Sequence, residues 1–181
     1  MKLSNILVLT FAVSVIMGMT PSAFAQRDTN GAKQRVPIKP VVKYRDWSVY
    51  QHKTGDDVIC FAASAPKDMM PKEVKRSEVL FYVTRWKSNP KKAQISLLIG
   101  YPFRDGSKPD IKIKAQEFKL FVKGDKAWIR DEGDEALLIR SMKKGSTMTV
   151  TGLSTQNIVT TDKFSLSGIS KALSKVKRLC R

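Results

Sequence analysis

Between residues 44 and 166 apolar and polar side chains alternate in short runs, and that two-residue period commits most of the chain to half-buried β-strands. Ile111-Lys112-Ile113-Lys114 is the cleanest run. Residues 47–50, 58–62, 79–85, 95–99, 118–123, 127–130, 147–151 and 158–164 repeat the pattern, mostly separated by Gly, Pro, Asp, Asn or Lys. Gly124-Asp125 suits a tight hairpin, because glycine accepts the positive φ that a type II′ turn needs at its first position. The expectation is a mainly β chain folded as an antiparallel β-sandwich-like domain.

Two segments depart from that period. Residues 134–144 open with Asp134 and Glu135, place Leu138 and Met142 four apart, and close on Lys143-Lys144-Gly145. Acids at the start, bases at the end and a terminal glycine predict a short internal helix. Residues 167–180 put Ile169, Leu173, Val176 and Cys180 on one helical face, with Lys171, Lys175, Lys177 and Arg178 elsewhere and Ser165 or Ser167 available as the N-cap. An amphipathic C-terminal helix lying on the sheet is expected.

The first 25 residues read as a cleavable signal peptide: one cation at Lys2, an apolar stretch from Ile6 to Met19, Gly18 and Pro21 as breakers, and Ala23-Phe24-Ala25 before Gln26. Its apolar core falls short of the roughly 20 residues of a spanning helix, so the mature protein is expected to have no transmembrane span. Residues 26–43 read as a flexible basic leader and 44–181 as one domain. Export would put Cys60 and Cys180 in an oxidising compartment, where they are expected to pair; free or intermolecular thiols are the alternative.

The order of several short pieces resembles the invasion-associated locus B family of secreted alphaproteobacterial proteins. They begin with Asp46-Trp47-Ser48-Val49, Cys60-Phe61-Ala62-Ala63-Ser64, Phe81-Tyr82-Val83-Thr84 and Ile99-Gly100-Tyr101-Pro102-Phe103. They continue with Ala127-Trp128-Ile129, Met142-Lys143-Lys144-Gly145, Val150-Thr151-Gly152-Leu153-Ser154, Asp162-Lys163-Phe164-Ser165-Leu166-Ser167-Gly168, Ala172-Leu173 and Cys180. The specificity lies in order and spacing, over about Tyr44 to Cys180. The resemblance implies a periplasmic or envelope-associated β-rich domain, linked in pathogenic members to host-cell entry, and it brings no catalytic site. Gln51 stands where some members carry a further cysteine, which implies a single bridge here. Gln156-Asn157 stands where similar proteins often have Arg-Gly.

Little in the sequence points to catalysis or a cofactor. His52, the only histidine, sits beside Lys53 and a Gly55-Asp56-Asp57 turn and reads as a surface-loop residue. No nucleophile elbow appears, and one histidine with two distant cysteines lacks the spacing of a zinc site. Asp131, Glu132, Asp134 and Glu135 lack calcium-loop spacing and instead suit a helix start. The aromatic residues read as core, with Trp86 the one expected to be exposed. No catalytic residue, metal ligand or cofactor is assigned.

Charge is more informative. The chain carries a net +17, and losing Lys2 with the signal would leave 17 − 1 = +16. Such a field favours polyanions. Candidate polyanion-binding residues are Lys112, Lys114, Arg85, Lys87, Lys91 and Lys92. An exported protein would meet anionic phospholipids, lipopolysaccharide phosphates or host sulfated glycans rather than physiological nucleic acid. The expected function is a non-enzymatic periplasmic or secreted, envelope-associated protein acting through a basic face. The alternatives are an envelope hydrolase or a periplasmic inhibitor or chaperone.

Overall fold

The computed structural model describes residues 39–181. The expected signal peptide and the leader up to residue 38 lie outside the described residues. Twelve strands and two helices follow: β1 Val42–Tyr44, β2 Trp47–Thr54, β3 Asp57–Ser64, β4 Asp68–Met70, β5 Leu80–Trp86, β6 Gln94–Leu98, β7 Asp110–Ile113, β8 Gln116–Lys119, β9 Phe121–Lys123, β10 Lys126–Trp128, α1 Glu132–Lys144, β11 Thr147–Leu153, β12 Val159–Ser165 and α2 Ile169–Leu179.

They form two antiparallel sheets, one of seven strands in the order β1-β2-β3-β5-β6-β10-β9, the other of five in the order β4-β12-β11-β7-β8. The alternating runs explain why: on β6, β11 and β12, and over the first four residues of β2 and β5, every second residue is buried, so each sheet has one apolar face to hide. Phe81 of one sheet meets Phe164 of the other edge-on, with ring centroids 5.8 Å apart. The Trp47 indole nitrogen donates to the Ser165 carbonyl at 3.0 Å. The mainly β, sandwich-like reading therefore holds.

Several boundaries differ from expectation. The run 118–123 is two strands in two sheets: β8 ends at Lys119, buried Leu120 turns the corner with its amide on the Pro109 carbonyl, and β9 joins β10. Period two cannot reveal a change of sheet, because Phe118 and Leu120 are both buried in either case. Strands β1 and β4 are three residues each and too short to show a period. The boundary expected at residue 44 falls inside β1. Gly124 has φ +62° while Asp125 is not in the positive-φ region, in keeping with the hairpin expected between β9 and β10.

Helix α1 begins at Glu132, with Asp131 as its N-cap accepting from the amides of Gly133 and Asp134. Helix α2 buries Ile169, Ala172, Leu173 and Val176. Its N-cap is Gly168 rather than Ser165 or Ser167. At φ +96° a Cβ there would lie 1.9 Å from the Tyr44 carbonyl oxygen, so close passage of the β1–β2 turn demands glycine. Cys180 follows α2 and is bonded to Cys60 of β3, both fully buried.

Candidate functional site

The six candidate cations do not form one patch. Lys112 projects from β7 and is 3.4 Å from Glu117 on β8, a carboxylate that Lys119 also engages. Lys119 foremost, then Lys112, holds the Glu117 carboxyl below its ordinary range. Lys112 is thus partly neutralised by its own hairpin.

Lys114 has a different setting. It sits at the β7–β8 turn with φ +53° and lines a cleft of about 360 Å³ with Arg140 and Lys144 of α1, above an apolar floor that includes Ile113 and Leu137. Among the described residues none of these three cations has a carboxylate partner, and no acid lines the cleft. The i, i+4 pair Arg140 and Lys144 was legible within the expected helix. Its closeness to Lys114 was not, because the pairing of two distant segments decides it.

Three of the other four candidates lie on the opposite flank of α1. Arg85, Lys91 and Lys92 line a cleft of about 320 Å³ with Glu132 and Glu135. The Arg85 guanidinium donates to the carbonyls of Pro90 at 2.6 Å and Lys91 at 3.1 Å, bracing the loop after β5, and burial lowers its pKa from the ordinary value. Lys92 pairs with Glu132 at 2.6 Å, and that carboxylate holds its ammonium above the usual range. Lys87 and Lys91 are exposed. This second cluster is therefore mixed in charge.

Glu135 is the unusual member of that cleft. Its residue is 6% exposed, and burial raises its pKa above the usual carboxylate range. Its Oε1 accepts the Ile95 amide at 2.7 Å. The β10 ladder against β6 stops at Trp128–Ser96, one residue short of Ile95, and Glu135 supplies the acceptor that the missing strand residue would have given.

Sequence reasoning also missed a buried ion pair. Arg76, in the connection between β4 and β5, donates to Asp162 of β12 from both terminal guanidinium nitrogens, one at 2.8 Å. Their side chains are 2% and 0% exposed. The same guanidinium lies 5.8 Å from the centroid of the Tyr101 ring, whose hydroxyl bonds to Thr160 at 2.7 Å. Asp162 occupies an inward position that alternation assigns to an apolar residue, so no local pattern announces its partner 86 residues away.

Trp86, expected exposed, is half-buried because β5 extends to it and pairs it with Ile59. Among the described residues the exposed aromatic is Phe121, stacked on Trp128 with the Arg130 guanidinium 5.2 Å from its ring centroid. His52 lies on β2 rather than in a loop, and is exposed. Among the described residues no three His, Cys, Asp or Glu side chains converge as metal ligands. Asn157 adopts φ +62° and accepts from Arg104 at 3.0 Å. That left-handed geometry fits the glycine of similar proteins, and asparagine tolerates it better than most residues.

The sheet order, the Cys60–Cys180 bridge and the close-packed Gly168 correspond to the pieces that carried the sequence resemblance. The profile of the invasion associated locus B (IalB) protein family matches residues 47–177. The chain belongs to that family. No curated protein and no solved structure gives a match. The matched region runs from Trp47 at the start of β2 into α2, so every strand but β1 and all six candidate cations fall within the IalB domain.

Proposed function

We propose that this IalB-family protein is a non-enzymatic, exported envelope protein that binds an anionic envelope or host-surface component through cations its own carboxylates leave free. The observation that carries the reading is the cleft of Lys114, Arg140 and Lys144, which has three cations and no acid in its wall. The disulfide supports an oxidising compartment, and the family name supports a link to invasion. Among the described residues no helix is long and apolar enough to cross a membrane. A +17 chain will also bind nucleic acid in a tube, so that alone carries no physiological weight.

The Glu135 cleft favours a second reading, a hydrolase acting on envelope polymers, since a buried carboxyl with a raised pKa beside cations suits acid chemistry. The bond from the Ile95 amide supports a structural role instead. The test is retention of the purified protein on immobilised lipopolysaccharide, on heparin and on anionic vesicles across a salt series. Binding that weakens steeply with salt is expected, because exposed charges are screened over about 8 Å at physiological ionic strength. Failure to bind all three, or retention indifferent to salt, overturns the proposal.

A further inference from the structure

The last helix presents a second cationic surface, absent from the six candidates. From Lys163 to Arg181 the chain carries six basic residues and no acidic one. Five of them, Lys171, Lys175, Lys177, Arg178 and Arg181, lie on α2 or just beyond it. The buried positions Ile169, Ala172, Leu173, Val176 and Cys180 occupy the sheet-facing side. At 100° per residue the remaining arc holds the four cations of the helix, with Ser170 and Ser174 between them, and exposed Arg181 follows the helix end.

Like the cations of the Lys114 cleft, they are uncompensated. Lys67, Lys72, Lys92, Lys112 and Lys119 each meet a carboxylate, whereas among the described residues none of the five cations of α2 and its end does. Tyr44 continues the surface, lining a groove of about 320 Å³ with Ser170, Lys171, Ser174 and Arg178 and no acid. Asp46, whose amide bonds to the Ser167 carbonyl at 3.3 Å near the start of the helix, is engaged by Lys67. The bridge from Cys180 to Cys60 pins the far end of the helix to β3, so the arc is held in one orientation.

We infer that the outer face of α2 docks the protein on an anionic phospholipid surface, an inference that rests on the polyanion-binding reading and adds to the Lys114 cleft a second site with a stated ligand. The arc is a convex ridge roughly 16 Å long, whose four cations, with Arg181 past its end, a planar array of headgroups can meet together. Its one groove, of about 320 Å³ beside the single ring of Tyr44, lacks the series of stacking rings that single-stranded polymers use. No large apolar residue sits on it, so docking is electrostatic and without insertion. Each cation near an anionic leaflet tightens association about fivefold.

The purified protein is co-sedimented with vesicles of phosphatidylglycerol and phosphatidylcholine, and with phosphatidylcholine alone. Binding to the anionic vesicles only is expected. The variant Lys171→Gln/Lys175→Gln/Arg178→Gln should bind about a hundredfold more weakly, and Lys177→Gln/Arg181→Gln about thirtyfold. The control Lys75→Gln/Lys123→Gln/Lys126→Gln, which removes the same charge as the triple variant from other exposed surfaces, should lose less than about tenfold. Glutamine is a good helix former and suits these sites, of which Lys175 is half-buried and Arg181 lies past the helix, and circular dichroism with non-reducing mass checks the fold of each variant. Equal losses in the two triple variants overturn the assignment to α2. Binding to heparin or lipopolysaccharide without anionic vesicles overturns the lipid surface but leaves polyanion binding standing, and absence of all binding overturns both.

Discussion

Replacing Arg76 with methionine leaves the Asp162 carboxylate at 0% side-chain exposure with no cation beside it. At an effective dielectric constant near 20, opposite charges about 4 Å apart attract by about 4 kcal/mol, which desolvation of the two ions largely offsets. The intact pair therefore contributes little net stability, but removing one member strands the other. Arg76→Met and Asp162→Leu should each cost about 3 to 5 kcal/mol, a large share of the roughly 5 to 15 kcal/mol of a typical domain. The double variant, with two apolar side chains in contact, should recover most of that loss. Urea unfolding of the four proteins, read by linear extrapolation, gives the coupling energy directly. The cost of breaking the pair should also change little with salt, since neither charge reaches solvent. A single-variant cost below about 1 kcal/mol, or costs that simply add in the double variant, would refute the reasoning.

Two further outcomes follow from the same structure. Replacing Cys60 and Cys180 with alanine opens a loop spanning 120 residues, and loop entropy alone predicts a loss of about 5 kcal/mol in chemical unfolding; a change under about 1 kcal/mol would exclude a major stabilising role for the bridge. Because burial raises the Glu135 pKa, the folded protein holds that proton more tightly than the unfolded chain, so its contribution is fully present below the ordinary carboxylate pKa and is lost as pH rises through the folded value. The wild type should therefore lose stability relative to Glu135→Gln over that window and then level off, in unfolding curves taken from acidic to neutral pH; a difference independent of pH would contradict it.

What was readable from residues alone is what local periodicity encodes. Alternation marks which side of each strand is buried, and the 3.6-residue spacing of Ile169, Leu173, Val176 and Cys180 marks the buried side of α2, because both depend only on neighbours along the chain. The pairing of Cys60 with Cys180 was expected from there being two cysteines and a predicted export signal, and the structure joins them. Which cations act together was hidden: Lys112 and Lys114 are two residues apart, yet β8 gives one a carboxylate and α1 gives the other two further cations.

The sequence by itself therefore determined the β-rich class, the two helices, the bridge and the size of the charge. Only the tertiary structure decided the change of sheet at Leu120, the link from Arg76 to Asp162, the bond from the Ile95 amide to Glu135, and which of the basic residues remain unpaired. The physical reason is range. Burial periodicity is set by the backbone geometry of each element, whereas ion pairing and acceptor supply depend on which distant elements the sandwich brings within a few ångströms.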